Sequence, residues 1–97
     1  MIVRIVKMEF KQELVDSFLL LFNANKESIR NFPGCNKLTL LQDSSKNVFF
    51  TYSIWENESS LERYRDSNLF KEVWKETKSY FSKKPKAWST EKLFELN

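Results

Sequence analysis

The chain has no histidine, one cysteine, one glycine and two prolines among its 97 residues. Each scarcity removes a kind of chemistry. Without an imidazole, the commonest general base near neutral pH is missing. Glu56, Glu58 and Glu62 then have no His to complete a metal site, and they read as a helix cap and a solvated face. The single thiol, Cys35, excludes an internal disulfide and suits a reducing compartment. With no His to activate it, Cys35 reads as a semi-buried structural residue after a turn. The lone glycine, Gly34, excludes the glycine-rich phosphate loops of P-loop and Rossmann proteins. No stretch approaches the ~20 apolar residues of a membrane-spanning helix. The N-terminal MIVRIVKMEF is too short an apolar run for a signal peptide and carries charges inside it. The expectation is a cytoplasmic protein with no membrane partner.

What remains is one expected domain over residues 1–97, long enough for a single modest core. Nine Phe, three Trp and three Tyr are rich for this size, which suggests that both faces of a sheet are covered. The 16 basic and 13 acidic residues are spread along the chain, so the net charge of +3 gives no nucleic-acid footprint. The one basic cluster, SKKPK at 82–86, reads as a solvated loop before a strand. There is no internal repeat and no low-complexity segment.

The stretch VFFTYSIW at 48–55 is β-branched and aromatic, which predicts a strand. Alternation separates Val48, Phe50, Tyr52 and Ile54 from Phe49, Thr51, Ser53 and Trp55. The first set is almost wholly apolar and is expected to pack on helices. The second mixes hydroxyls with two large rings, which suits a small cavity or a wet interface. Asn57, or Ser59 with Glu62 as a capping box, predicts a short helix starting near position 58. Asp66 and Ser67 end it and offer a second cap. The next helix is expected to bury Leu69, Phe70, Val73, Trp74, Thr77, Tyr80 and Phe81, with Lys71, Glu72, Lys75, Glu76 and Lys78 on its wet side.

Upstream, residues 2–8 predict a strand that is apolar on both sides. Residues 11–31 predict a helix with a broad stripe of Leu14, Val15, Phe18, Leu19, Leu21, Phe22 and Ile29, pressed against more than one neighbour. Phe32-Pro33-Gly34 stops it. A short strand at 37–42 and a polar loop at 43–47 lead into the aromatic strand. Past Pro85 a last strand is expected over 87–94. The order β-α-β-β-α-α-β is the split βαβ, ferredoxin-like arrangement of an α+β fold with an antiparallel sheet. Helices on one side leave a bare sheet face carrying Trp and Phe. A homodimer that presses two such faces together, closing a barrel, is the economical way to cover it.

Phe32-Pro33-Gly34-Cys35 before a short strand, the segment YSIWEN at 52–57, the placing of Leu61 after it and the Ser67-Asn68-Leu69-Phe70 cap form an ordered set. Across nearly the whole chain this set resembles the antibiotic biosynthesis monooxygenase (ABM) domain family of the dimeric α/β barrel superfamily. The resemblance implies a ferredoxin-like protomer, a sheet-to-sheet dimer and a hydrophobic pocket between helices and sheet. Characterised members use that pocket to oxygenate quinols or aromatic polyketides without metal or flavin, or to bind and degrade haem. Trp55 matches a Trp that lines the pocket in several members. The position of the haem-ligating His falls on Trp74, so axial ligation by His is excluded here, and Cys35 lies on the wrong segment to replace it. An Asn of the polyketide-oxidising members becomes Thr51. Their basic and phenolic pocket groups have no clear counterparts, although Lys75 and Tyr64 lie near.

The candidate pocket residues are therefore Trp55, Thr51, Tyr64, Trp74, Lys75 and Phe22, with no cofactor implied. Trp55 reads equally well as a core or interface aromatic, Trp74 as part of a helical core stripe, and Tyr64 and Arg65 as half-exposed helix residues. Two functions follow. One is a cofactor-independent monooxygenase acting on a small aromatic or quinol-like compound. The other is a non-catalytic dimeric module that binds a small ligand or a partner and has lost the chemistry; a cavity already filled by Trp74, Phe22 and Phe18 would favour it.

Overall fold

A computed structural model describes residues 1–97. The strands are β1 (Ile2–Glu9), β2 (Cys35–Gln42), β3 (Val48–Trp55) and β4 (Lys86–Thr90), and the helices are α1 (Val15–Arg30), α2 (Glu58–Arg65) and α3 (Asn68–Lys78). A 3-10 turn, Gln12–Leu14, leads into α1. The sheet runs β2-β3-β1-β4 with every neighbouring pair antiparallel, the strand order of a ferredoxin-like α+β fold.

Local chemistry sets the breaks between elements. Asn57 Oδ1 accepts from Ser60 N at 2.9 Å and starts α2, while Ser67 Oγ accepts from Phe70 N at 3.1 Å and starts α3. Of the two caps open for α2, the Asn57 form is the one used. Between α1 and β2 the chain turns at Gly34, whose φ of +92° is costly for any residue with a side chain. A Cβ there would also run into the Ser60 side chain. The bare glycine thus lets the first turn of α2 sit against the start of β2. Glu56 N donates to Gly34 O at 2.8 Å and ties the end of β3 to the same turn.

Three expectations are corrected. The helices cover the Phe49, Thr51, Ser53 and Trp55 side of β3, not the Val48, Phe50, Tyr52 and Ile54 side: Phe49 and Trp55 are each about 1% exposed, and Thr51 and Ser53 border a cavity with helical residues. Alternation separates two faces but does not say which one meets the helices. The register does so, by setting Ser53 beside Arg4, Thr51 beside Val6 and Phe49 beside Met8. Second, β4 stops at Thr90 rather than 94. Its last partner is Val3, one residue from the start of β1, so no strand is left to pair with beyond that point. Third, α3 ends at Lys78, and Tyr80 and Phe81 leave it to pair with the end of β1. Lys11 N donates to Tyr80 O at 3.0 Å, Ser82 N donates to Glu9 O at 2.9 Å, and Phe10 and Phe81 form an antiparallel bridge. These bonds satisfy backbone groups that a longer helix would have left unpaired at the strand end.

The stripe of α1 is narrower than its leucines suggest. Phe18 and Ile29 are buried, whereas Leu19 and Leu20 are exposed. The helix still meets two neighbours, β2 and α3. The buried side chains form two groups: Met8, Phe10, Phe18 and Phe49 at one end, and Cys35, Trp55 and Leu61 at the other. Phe10 stacks on Phe18 with ring centres 4.2 Å apart.

Candidate functional site

Between the two apolar groups lies a cavity of about 290 Å³, with the sheet as its floor and all three helices around it. Fourteen of its 19 lining residues are hydrophobic, the pattern of a small-ligand site with few polar anchors. The aromatic wall is continuous. Trp55 stacks on Tyr64 at 4.8 Å, Tyr64 meets Phe70 edge-on at 5.1 Å, and Phe70 stacks on Trp74 at 5.7 Å. These rings come from the end of β3, the body of α2 and the first two turns of α3. The two side-chain caps fix where the helices start and so where the rings stand.

The indole of Trp55 is held from behind. Its Nε1 donates to Ser53 Oγ at 3.0 Å, two residues back on the same strand face. This bond explains the hydroxyl at position 53: Ser53 is the partner a buried indole requires. No buried side-chain polar atom lacks a partner. Thr51 and Tyr64 border the cavity, and neither hydroxyl makes a side-chain hydrogen bond within the protein.

Electrostatics assigns the roles of these groups. Burial, and secondarily the neighbouring Cys35 thiol, push the Tyr64 phenol well above its ordinary value, so near neutral pH it is an O–H donor. The Cys35 thiol is itself pushed up by burial, against the pull of its contact with Lys37 O and of Arg30. It is a free, buried thiol beneath Trp55, with Sγ 3.6 Å from Lys37 O.

Of the six candidates read from sequence, Trp55, Thr51, Tyr64, Trp74 and Phe22 border the cavity, and Lys75 does not. Lys75 lies on the exposed side of α3. Phe18, Phe22 and Trp74 stand at the cavity wall and leave its volume open. Sequence reasoning missed Arg4, which borders the cavity from β1, and Arg65, weighed only as a half-exposed helix residue, borders it from α2. The signal for Arg4 was its parity: it shares a strand face with Val6 and Met8, the residues that meet the helices. Arg4 Nη1 donates to Ser89 Oγ at 3.0 Å. Burial lowers its pKa and the Arg65 guanidinium lowers it further, while Glu62 opposes the shift. An Arg stays charged throughout this range. No group of three or more His, Cys, Asp or Glu side chains is gathered anywhere in the molecule.

Comparison with known proteins gives a consistent result. The sequence model of the family described as antibiotic biosynthesis monooxygenase matches residues 1–76. The fold superposes on a crystal structure of an antibiotic biosynthesis monooxygenase with a TM-score of 0.90 and 18% identity, covering 96% of this chain and 99% of that one. A conserved protein from Methanosarcina mazei Go1 gives 0.87 and 24% identity, over 94% of this chain and 92% of that one. Rv0793 from Mycobacterium tuberculosis gives 0.89 and 12% identity, over 99% and 98%. No curated protein matches the sequence.

Proposed function

The chain belongs to the antibiotic biosynthesis monooxygenase family, and from that premise we propose that its cavity binds a small aromatic, quinol-like compound and oxygenates it without a cofactor of the protein's own. The single observation that carries this reading is the open volume beside the Trp55, Tyr64, Phe70 and Trp74 wall. A flat aromatic ring fits between such walls, and the hydroxyls of Thr51 and Tyr64 and the Arg4 guanidinium supply orienting donors.

The chemistry asks the protein for little covalent work. An electron-rich phenolate passes one electron to dioxygen, and the radical pair collapses to a carbon–oxygen bond. The resulting hydroperoxide loses water and leaves a carbonyl. One oxygen atom enters the product and the other departs in the water. The protein's task is to favour the phenolate and hold it in a dry site. Tyr64, kept protonated by burial, can donate to the substrate oxygen, and the positive field of Arg4 favours its anionic form. Oxygen uptake on mixing purified protein with a panel of hydroquinones and naphthols tests the proposal. Uptake above the blank, reduced when Tyr64→Phe or Thr51→Val is introduced, is the expected result; no uptake across the panel counts against it.

One observation favours the second reading, a binding module without turnover. No carboxylate or imidazole lines the cavity, and its phenol is no base at neutral pH. Ligand binding by calorimetry with no oxygen uptake would select that reading.

We further propose that the protein works as a homodimer through the open sheet face. Leu41 is 51% and Trp88 45% exposed there, beside the partly exposed Ile5, Phe50 and Tyr52. The total accessible surface of 6601 Å² exceeds the roughly 5,900 Å² that size scaling gives for a monomer of this mass. Pairing two sheets would cover that excess and close the floor of the cavity from behind.

A further inference from the structure

We propose that the aromatic ligand of this cavity carries a carboxylate, seated against Arg4 and Arg65. The inference rests on the cavity being an aromatic-binding site, and it adds the charge of what enters. Arg4 stands on the helix-facing side of β1, beside Ser53 of β3 and Ser89 of β4, and its one side-chain hydrogen bond is to the Ser89 hydroxyl. None of the ion pairs in the molecule includes it. The charge that bears on it most is another cation, Arg65, which borders the same cavity.

Arg65 is itself weakly matched. Its carboxylate partner Glu62 lies 3.8 Å away, one turn back on the same helix, with both side chains about half exposed. An exposed pair of that length is worth little. Two guanidinium groups thus share one loosely held carboxylate at the edge of a largely apolar volume. That leaves about one positive charge without a close counter-charge beside the aromatic wall. A monoanion removes the imbalance. A carboxylate does so with the planar, two-oxygen geometry that a guanidinium fork accepts. Tyr64, Phe70 and the two arginines line one cavity, so a ligand with its ring on Tyr64 and Phe70 has both cations within the same volume for a ring carboxylate to reach. The ligand class is an aryl carboxylate, and a neutral arene of the same size is the disfavoured comparison.

Isothermal titration of the purified protein at pH 7 with 2-naphthoate and with 2-naphthol, which is uncharged at that pH, tests the charge alone on one ring system. The expected result is tighter binding of 2-naphthoate by about tenfold or more. Arg4→Met and Arg65→Met should each shrink that ratio by about threefold or more, with the loss carried by the naphthoate arm. The Arg65 side chain is about half exposed and sits at the cavity's edge, so its variant keeps the test decisive if Arg4→Met fails to fold. Equal affinity for the two probes, or a ratio untouched by either substitution, overturns the carboxylate seat and leaves the aromatic site standing. Failure of both probes to bind removes the aromatic site and the seat together.

Discussion

At the scale of single residues, one hydrogen bond settles why a serine stands two positions before the large ring that ends β3. Trp55 is almost fully buried, and an indole N–H in that setting needs an acceptor, which Ser53 supplies at 3.0 Å. Ser53→Ala should therefore destabilise the protein by about 1–3 kcal/mol, seen as a lower urea midpoint with an unchanged slope. Tyr64 makes a second prediction. Its folded-state pKa is raised, chiefly by burial, above the ordinary value of 10.0. The folded protein then holds this proton where the unfolded chain has released it, so the unfolded state binds fewer protons and stability falls with rising pH. The contribution is intact below pH 10 and is lost as pH climbs from there through the higher folded value. Urea midpoints measured between about pH 9 and 11.5 should fall in the wild type, and less steeply in Tyr64→Phe. An equal slope in both proteins would show that other groups carry the alkaline loss.

At the scale of elements, the turn at Gly34 holds three pieces together: the end of α1, the start of β2 and the first turn of α2. Its positive φ and the contact a Cβ would make with Ser60 act in the same direction. Gly34→Ala is expected to cost roughly 1–3 kcal/mol, and the displaced α2 should loosen the Tyr64 and Trp55 stack. Near-ultraviolet circular dichroism reads that stack, and a native aromatic spectrum in the variant would count against the coupling. This turn was legible in sequence, because Phe-Pro-Gly after a helical stripe has a specific backbone meaning. So were both side-chain caps, since Asn57 and Ser67 are short acceptors ahead of helical patterns. The end of β4 was not legible, because a strand's length depends on its partner as well as its own composition, and β1 runs out at its first residues. Nor was the end of α3, where Tyr80 and Phe81 kept the helical spacing yet were drawn off by the unpaired backbone at the end of β1.

At the scale of the molecule, the proposed dimer rests on the helix-free side of the sheet. The expected species is a dimer at micromolar concentration, and Trp88→Lys or Leu41→Lys should shift it to monomer in analytical ultracentrifugation. An ordered wild-type monomer would sink that proposal. Composition and periodicity alone determined the order of strands and helices and the exclusion of disulfide and phosphate-loop chemistry. Those properties depend on local preference and spacing, which the chain carries in one dimension. Only the tertiary structure decided which face of β3 meets the helices, and that Arg4 and Arg65, 61 positions apart by number, border one cavity. Register and helix placement bring distant residues to a common volume, and no window of sequence contains the packing that chooses between the two faces of a strand.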